Sequence, residues 1–154
     1  MAKTAIMLGG NLPGTPKAME YALTELSKHG FTIEKISEIF NSEAVDCVPD
    51  TPDFLDQAVV GSWNSSPLEL LELCQKIEIS AGRPRIHSSR ESRILDIDII
   101  IFDNVKMTGE KLILPHPRAA QREFVLAPLS QIAPDMKFPD GRSVIELYND
   151  LQNN

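Results

Sequence analysis

Two aspartates, Asp96 and Asp98, stand one residue apart within Leu95-Asp96-Ile97-Asp98-Ile99-Ile100-Ile101-Phe102. The isoleucines predict a strand from Ile94 to Phe102. Residues two apart on a strand share a face. Both carboxylates therefore project together, with Leu95, Ile97 and Ile99 packed behind them and Ile100 and Phe102 expected on the acids' own face. Two carboxylates about 4 Å apart repel by roughly 4 kcal/mol at an effective dielectric near 20. A divalent cation removes that penalty, and a small set of oxygen ligands suits magnesium shared with substrate phosphates. Taken alone, the pair is equally open to solvation or to pairing with nearby arginines.

Arginines do lie nearby. Arg83, Arg85, Arg90 and Arg93 crowd into eleven residues, opposed there only by Glu91. Guanidinium forks match phosphate oxygens in a bidentate way. A charge run is usually a solvated face, but this one runs straight into the aspartate strand. Acids that hold a cation, beside arginines that hold phosphate, are the parts of a phosphoryl-transfer site. A loop of this kind is also suited to close over a substrate. Downstream, Leu114-Pro115-His116-Pro117 is followed by Arg118, Arg122 and Phe124. His116 there fits either a turn or a phosphate contact. No P-loop or dinucleotide fingerprint is present, and Gly9-Gly10-Asn11 is too short a glycine loop to cradle a nucleotide by itself.

The elements that must position these groups follow from pattern. Thr4 to Leu8 reads as a buried strand and Gly9 to Gly14 as a turn. Thr15 is expected to cap a helix with Pro16 at its first position. Met19, Ala22, Leu23 and Leu26 share that helix's apolar face, and Gly30 stops it. Phe31 to Phe40 predicts a strand, Asn41 to Asp53 a loop and Phe54 to Trp63 another strand. Ser66-Pro67-Leu68-Glu69 is a capping box for a helix that ends near Gly82. Arg83 to Arg93 reads as a basic loop, Lys106 to Leu114 as a small hairpin and Val125 to Ile132 as a short helix. A last helix is capped at Ser143. The order strand-helix-strand, strand-helix-strand, then C-terminal additions, predicts an α+β ferredoxin-like sandwich: an antiparallel sheet with helices packed on it.

With 154 residues, 42% of them hydrophobic, the chain is the size of a single domain spanning 1–154. A net charge of -7 argues against nucleic acid or anionic membrane as a partner. Cys74 falls in an apolar helical pattern and Cys47 in a loop, which is no disulfide framework. The longest apolar run is too short to span a bilayer, and no targeting signal is seen, so the expectation is a cytoplasmic monomer.

The chain resembles the 6-hydroxymethyl-7,8-dihydropterin pyrophosphokinase family over nearly its whole length. Four blocks carry the match: Leu8-Gly9-Gly10-Asn11-Leu12, Pro52-Asp53-Phe54-Leu55, Arg93-Ile94-Leu95-Asp96-Ile97-Asp98, and Pro115-His116 through Arg122 and Phe124. The resemblance implies a ferredoxin-like fold and transfer of pyrophosphate from ATP to the hydroxyl of 6-hydroxymethyl-7,8-dihydropterin, giving AMP, in folate synthesis. Asp96 and Asp98 would ligate two magnesium ions, with Arg83 and Arg93 also catalytic. Gln75, Glu78, Arg85, Lys111, His116 and Arg122 would serve ATP. Phe54 and Phe124 would sandwich the pterin ring, and Asp56 and the stretch Ser42, Glu43 and Val45 would meet its edge. Three positions depart from the family. Asp56 replaces a usual asparagine, Ser89-Arg90 replaces a frequent arginine-tryptophan, and Pro117 replaces an aromatic. A related pyrophosphokinase acting on another aromatic alcohol, or a non-catalytic ATP or pterin binder, are the rival readings.

Overall fold

The structure, a computed structural model, describes residues 1–42, 53–82 and 93–153. Ala5-Ile6-Met7-Leu8 form one unbroken buried stretch, which requires a strand covered on both faces. That strand, β1 (Ala2–Gly10), lies inside the sheet. It pairs antiparallel with β4 (Phe54–Trp63) on one side and β5 (Asp96–Phe102) on the other. β2 (Thr32–Ile36) and β3 (Phe40–Ser42) both pair with the outer edge of β4. The order β2-β4-β1-β5, with helices α1 (Thr15–Lys28) and α2 (Pro67–Ser80) connecting the strands, is the expected α+β sandwich. A small hairpin of β6 (Met107–Thr108) and β7 (Ile113–Leu114) follows, then α3 (Glu123–Ile132) and α4 (Val144–Gln152).

The two faces have separate cores. Ile6, Leu8, Ile97 and Ile99 face Met19, Leu26, Leu70 and Cys74 of α1 and α2. Ala5, Met7, Ala58 and Val60 face Leu126, Leu129, Val144 and Leu147 of α3 and α4. Each large aliphatic side chain so buried contributes about 1.5–3 kcal/mol relative to exposure. The helix starts at α2 and α4 behave as their sequences require. Ser66 accepts from the Glu69 N–H in a capping box, and Ser143 accepts from that of Glu146.

Three expectations need correction. Thr15 is the first helical residue, capped by Gly14. Its hydroxyl instead donates to Ile94 O at 2.8 Å and accepts from Leu12 N–H at 3.1 Å. The stretch 31–40 is not one strand: β2 ends at Ile36, where Ser37 breaks the ladder, and β3 begins only at Phe40 and takes in Asn41 and Ser42 of the expected loop. The Ser37 N–H bonds Ala58 O, while its side-chain oxygen, in place of a carbonyl, receives the Ala58 N–H at 2.8 Å. Phe102 lies on the face opposite Asp96 and Asp98. The pairing runs from Ile6↔Ile99 to Ala5↔Ile101, so β5 has one extra residue, and such a bulge shifts the side-chain alternation beyond it. Ile100 and Ile101 both join the α3/α4 core, and Phe102 returns to the α1/α2 core.

Candidate active site

Strand register sets the site. Asp96, Gly9 and Asp56 are directly paired across β5, β1 and β4, and Asp98, Met7 and Ala58 form the next row. Met7, Ala58 and Ile100 all belong to the α3/α4 core, so Asp96, Asp98 and Asp56 lie on that face of the sheet. With strands about 4.8 Å apart, Asp56 sits about 10 Å from Asp96 across the sheet. Gly9 keeps the middle open, since a Cβ there would come within 3.1 Å of Asp56 Oδ1.

This row floors a cavity of about 400 Å³. Ser42, Phe54 and Asp56 line one side. Arg93, Asp96, Asp98 and Ile100 line the other, with His116, Arg122 and Phe124 above. Asp98 is exposed and Asp96 half-buried. A second cavity of about 280 Å³ shares Asp98 and His116 and is lined by Lys111. Of the residues singled out in the sequence, Gln75 is exposed on α2 and lines neither cavity. Glu78 holds the backbone: its carboxylate accepts from Ile97 N–H at 2.7 Å, at the outer edge of β5. Glu43, Val45, Arg83 and Arg85 lie outside the described residues, as do Cys47, Ser89 and Arg90.

Arg93 is fixed at both ends. Its Nη1 donates to Asp96 Oδ2 at 2.6 Å. Its backbone is clasped by Asn11 in the β1–α1 turn: Asn11 N–H donates to Arg93 O at 2.9 Å, and Arg93 N–H to Asn11 Oδ1 at 2.8 Å. The next residue, Ile94, takes the Thr15 hydroxyl and touches Gly10 so closely that a Cβ would stand 2.4 Å from its carbonyl oxygen. The glycine turn is thus a clamp on the approach to β5. Sequence reasoning missed Asn11 and Thr15. The available signal was a buried-type polar pair flanking glycines beside the strand that the acids' strand must join.

His116 receives the Arg118 backbone N–H on Nδ1 at 3.3 Å, which leaves Nε2 to carry the proton of the neutral ring. Burial lowers its pKa, opposed by Asp98 and aided by Arg122 and Arg118. His116 is therefore held toward its neutral form, an N–H donor beside the cationic Arg122 and Arg118. Arg122 lies over the Phe124 ring, 5.3 Å from the centroid, and Phe124 is 39% exposed at the cavity.

Asp56 is 8% exposed. Burial, with a smaller push from Asp98 and against the Ser42 hydrogen bond, raises its pKa from the ordinary 3.8 to about 6. The folded chain holds this proton more tightly than the unfolded chain. The Asp56 contribution to native stability is therefore fully present below pH 3.8 and is lost as pH rises through about 6. Asp56→Asn removes the cost, about 3 kcal/mol. In magnesium-free buffer, thermal unfolding of the variant is expected to match the parent near pH 3.5. Its advantage should grow with pH and level off above 6.5; an advantage independent of pH would contradict the assignment.

Paired carboxylates, a pinned arginine, an imidazole and two phenylalanines thus line one cavity, the parts that phosphoryl transfer to a flat acceptor would need. The comparisons with known proteins make this specific. Residues 5–134 match the model of the 7,8-dihydro-6-hydroxymethylpterin-pyrophosphokinase (HPPK) family. The 2-amino-4-hydroxy-6-hydroxymethyldihydropteridine pyrophosphokinase of Bacillus subtilis is 38% identical over 128 residues, which is 82% of this chain and 75% of that protein. The Haemophilus influenzae protein of the same name is 33% identical over 148 residues, covering 96% and 91%. A crystal structure of Plasmodium falciparum HPPK-DHPS superposes with a TM-score of 0.74 at 16% identity. It matches 97% of this chain, which spans 43% of that longer one, and at that identity the likeness concerns the fold alone. The chain belongs to the HPPK family, whose members are enzymes that transfer pyrophosphate from ATP.

Proposed function

We propose that the cavity carries out the family's reaction: the hydroxyl of 6-hydroxymethyl-7,8-dihydropterin attacks the β-phosphorus of ATP, its O–P bond forms as the bond to the α-phosphate oxygen breaks, AMP leaves with that oxygen, and the hydroxyl proton passes to water. The observation that carries this is the meeting, in one cavity, of the Asp96/Asp98 pair with Arg93, Arg122 and His116 and with two phenylalanines. The acids fit magnesium. They share a face, Asp98 is exposed, and among the described residues no third acid, histidine or cysteine joins them. Magnesium characteristically takes one or two carboxylates and completes its shell from water and phosphate. Asp96 and Asp98 would hold two such ions, which when bound offset the charge of the triphosphate.

The chain's own groups do the rest. Arg93, steadied by Asp96 and Asn11, presents its charge to the transferring oxygens. Arg122 and the neutral His116 donate to phosphate from the opposite wall, and Lys111 serves the nucleotide from the adjoining cavity. Phe54 and Phe124 hold the ring flat, where offset stacking adds about 0.5–1.5 kcal/mol beyond burial. Fixing both reactants in line supplies the largest part of the rate, as phosphoryl transfer needs little covalent help from the protein.

The direct test is AMP release from ATP with and without the dihydropterin at varied magnesium. Release that requires both supports the reading; ATP binding without AMP formation supports a mere binder. In the same assay Phe124→Ala is expected to raise the KM for the pterin by on the order of 10- to 100-fold, from the lost burial and stacking of one aromatic ring. The KM for ATP should change by a smaller factor, because Phe124 reaches the phosphates only through Arg122, which lies over its ring. A change confined to ATP would place Phe124 on the nucleotide side.

A further inference from the structure

An aspartate buried in a ligand cavity constrains the ligand more than the bulk of the pocket does. Asp56 has one side-chain hydrogen bond among the described residues, from Ser42 Oγ to Oδ2 at 3.1 Å. Oδ1 lies over Gly9, whose missing side chain leaves room beside it. The same carboxyl lines the cavity that Phe54 and Phe124 wall. It stands two strands from Asp96, too far to share a cation bound by the Asp96/Asp98 pair. Ionised, a carboxylate only accepts hydrogen bonds, and it cannot turn over to donate as an amide does. With its pKa near 6, Asp56 is largely ionised at neutral pH.

From this geometry we infer that Asp56 is a specificity-determining residue: it admits flat heterocycles that present two adjacent N–H donors, as a 2-amino-4-oxopyrimidine edge does, and rejects the 2-oxo counterpart. This rests on the pterin reading above. The 2-amino ring offers its N3–H and exocyclic NH₂ side by side, and both can be accepted. The 2-oxo ring replaces the NH₂ by a carbonyl, so two acceptors face each other in a buried site. Sites built around a specific hydrogen bond discriminate far more sharply than apolar pockets, because the mismatch leaves buried polar groups unpaired. An amide at position 56 would rotate its NH₂ toward the carbonyl and lose most of that discrimination.

Calorimetric titration of the full chain with 6-hydroxymethylpterin and with its 2-oxo counterpart tests this. Magnesium and a non-hydrolysable ATP analogue are present throughout. The parent is expected to bind the 2-amino ligand at least 100-fold more tightly. In Asp56→Asn that ratio should fall below about tenfold, chiefly by a gain for the 2-oxo ligand. Calorimetric binding of the ATP analogue, unchanged between the two proteins, shows that the variant is folded. A parent that binds both ligands within threefold, or a ratio unmoved by Asp56→Asn, overturns the role of Asp56 while leaving the pterin reading in place. A parent that binds the ATP analogue but neither ring overturns both.

Discussion

Asp98→Ala is expected to lower the rate of AMP formation by on the order of 10³-fold, the scale seen when a preorganised charge contact to a reacting group is deleted. The substitution touches no core. Asp98 is exposed, and the residue behind it in β5, Ile97, carries the packing. Stability should therefore change by no more than about 0.5 kcal/mol, which separates loss of chemistry from loss of fold. ATP affinity should also lose its dependence on magnesium. A further consequence is checkable without turnover: Asp98 helps to raise the Asp56 pKa, so the variant should titrate Asp56 at lower pH, visible by carboxyl NMR. Near-parental AMP formation would remove Asp98 from the metal site.

Gly10→Ala should be nearly as damaging, although it adds one methyl group outside the reacting atoms. A Cβ at Gly10 would stand 2.4 Å from Ile94 O and 2.7 Å from Thr15 Oγ1. The closest of these is backbone, so no side-chain rotation relieves it. The chain at 94 must move away from β1, taking Arg93 and Asp96 with it. Displacement of catalytic groups by about 1 Å costs on the order of 10²-fold. The expected result is a fall of that size in kcat, with pterin affinity close to the parent's because Phe54 and Phe124 are held by other elements. A variant with full kcat would show that the β1–α1 turn is a spacer and does not position Arg93.

Much of this was legible in the sequence because it obeys local rules. The alternation around Ile97 put Asp96 and Asp98 on one face, the capping box at Ser66 fixed the start of α2, and β-branched and aromatic residues marked Phe54–Trp63. What was not legible depends on partners far away in the chain. Thr15 looks like a helix cap by composition, yet Ile94, 79 residues on, claims its hydroxyl. Ser37 ends a strand only because Ala58 lies opposite it. Phe102 was assigned to the acids' face by a period of two that the bulge interrupts. Glu78, one turn from Gln75, also closes the edge of β5 with its carboxylate, a pairing across 19 residues that local pattern does not reveal. In each case a long-range hydrogen bond or pairing overrode a local preference.

The surplus residue in β5 has a consequence for how such a pocket can be altered. Ile100 has no opposite number on β1, yet it is buried and lies under the cavity. Its neighbours Ile99 and Ile101 pair with Ile6 and Ala5, so the strand register does not depend on a partner for Ile100, although its side chain packs in the α3/α4 core. A shorter aliphatic at this one position should therefore deepen the pocket without moving the acids, at about 0.5–1.5 kcal/mol of core packing for Ile to Val.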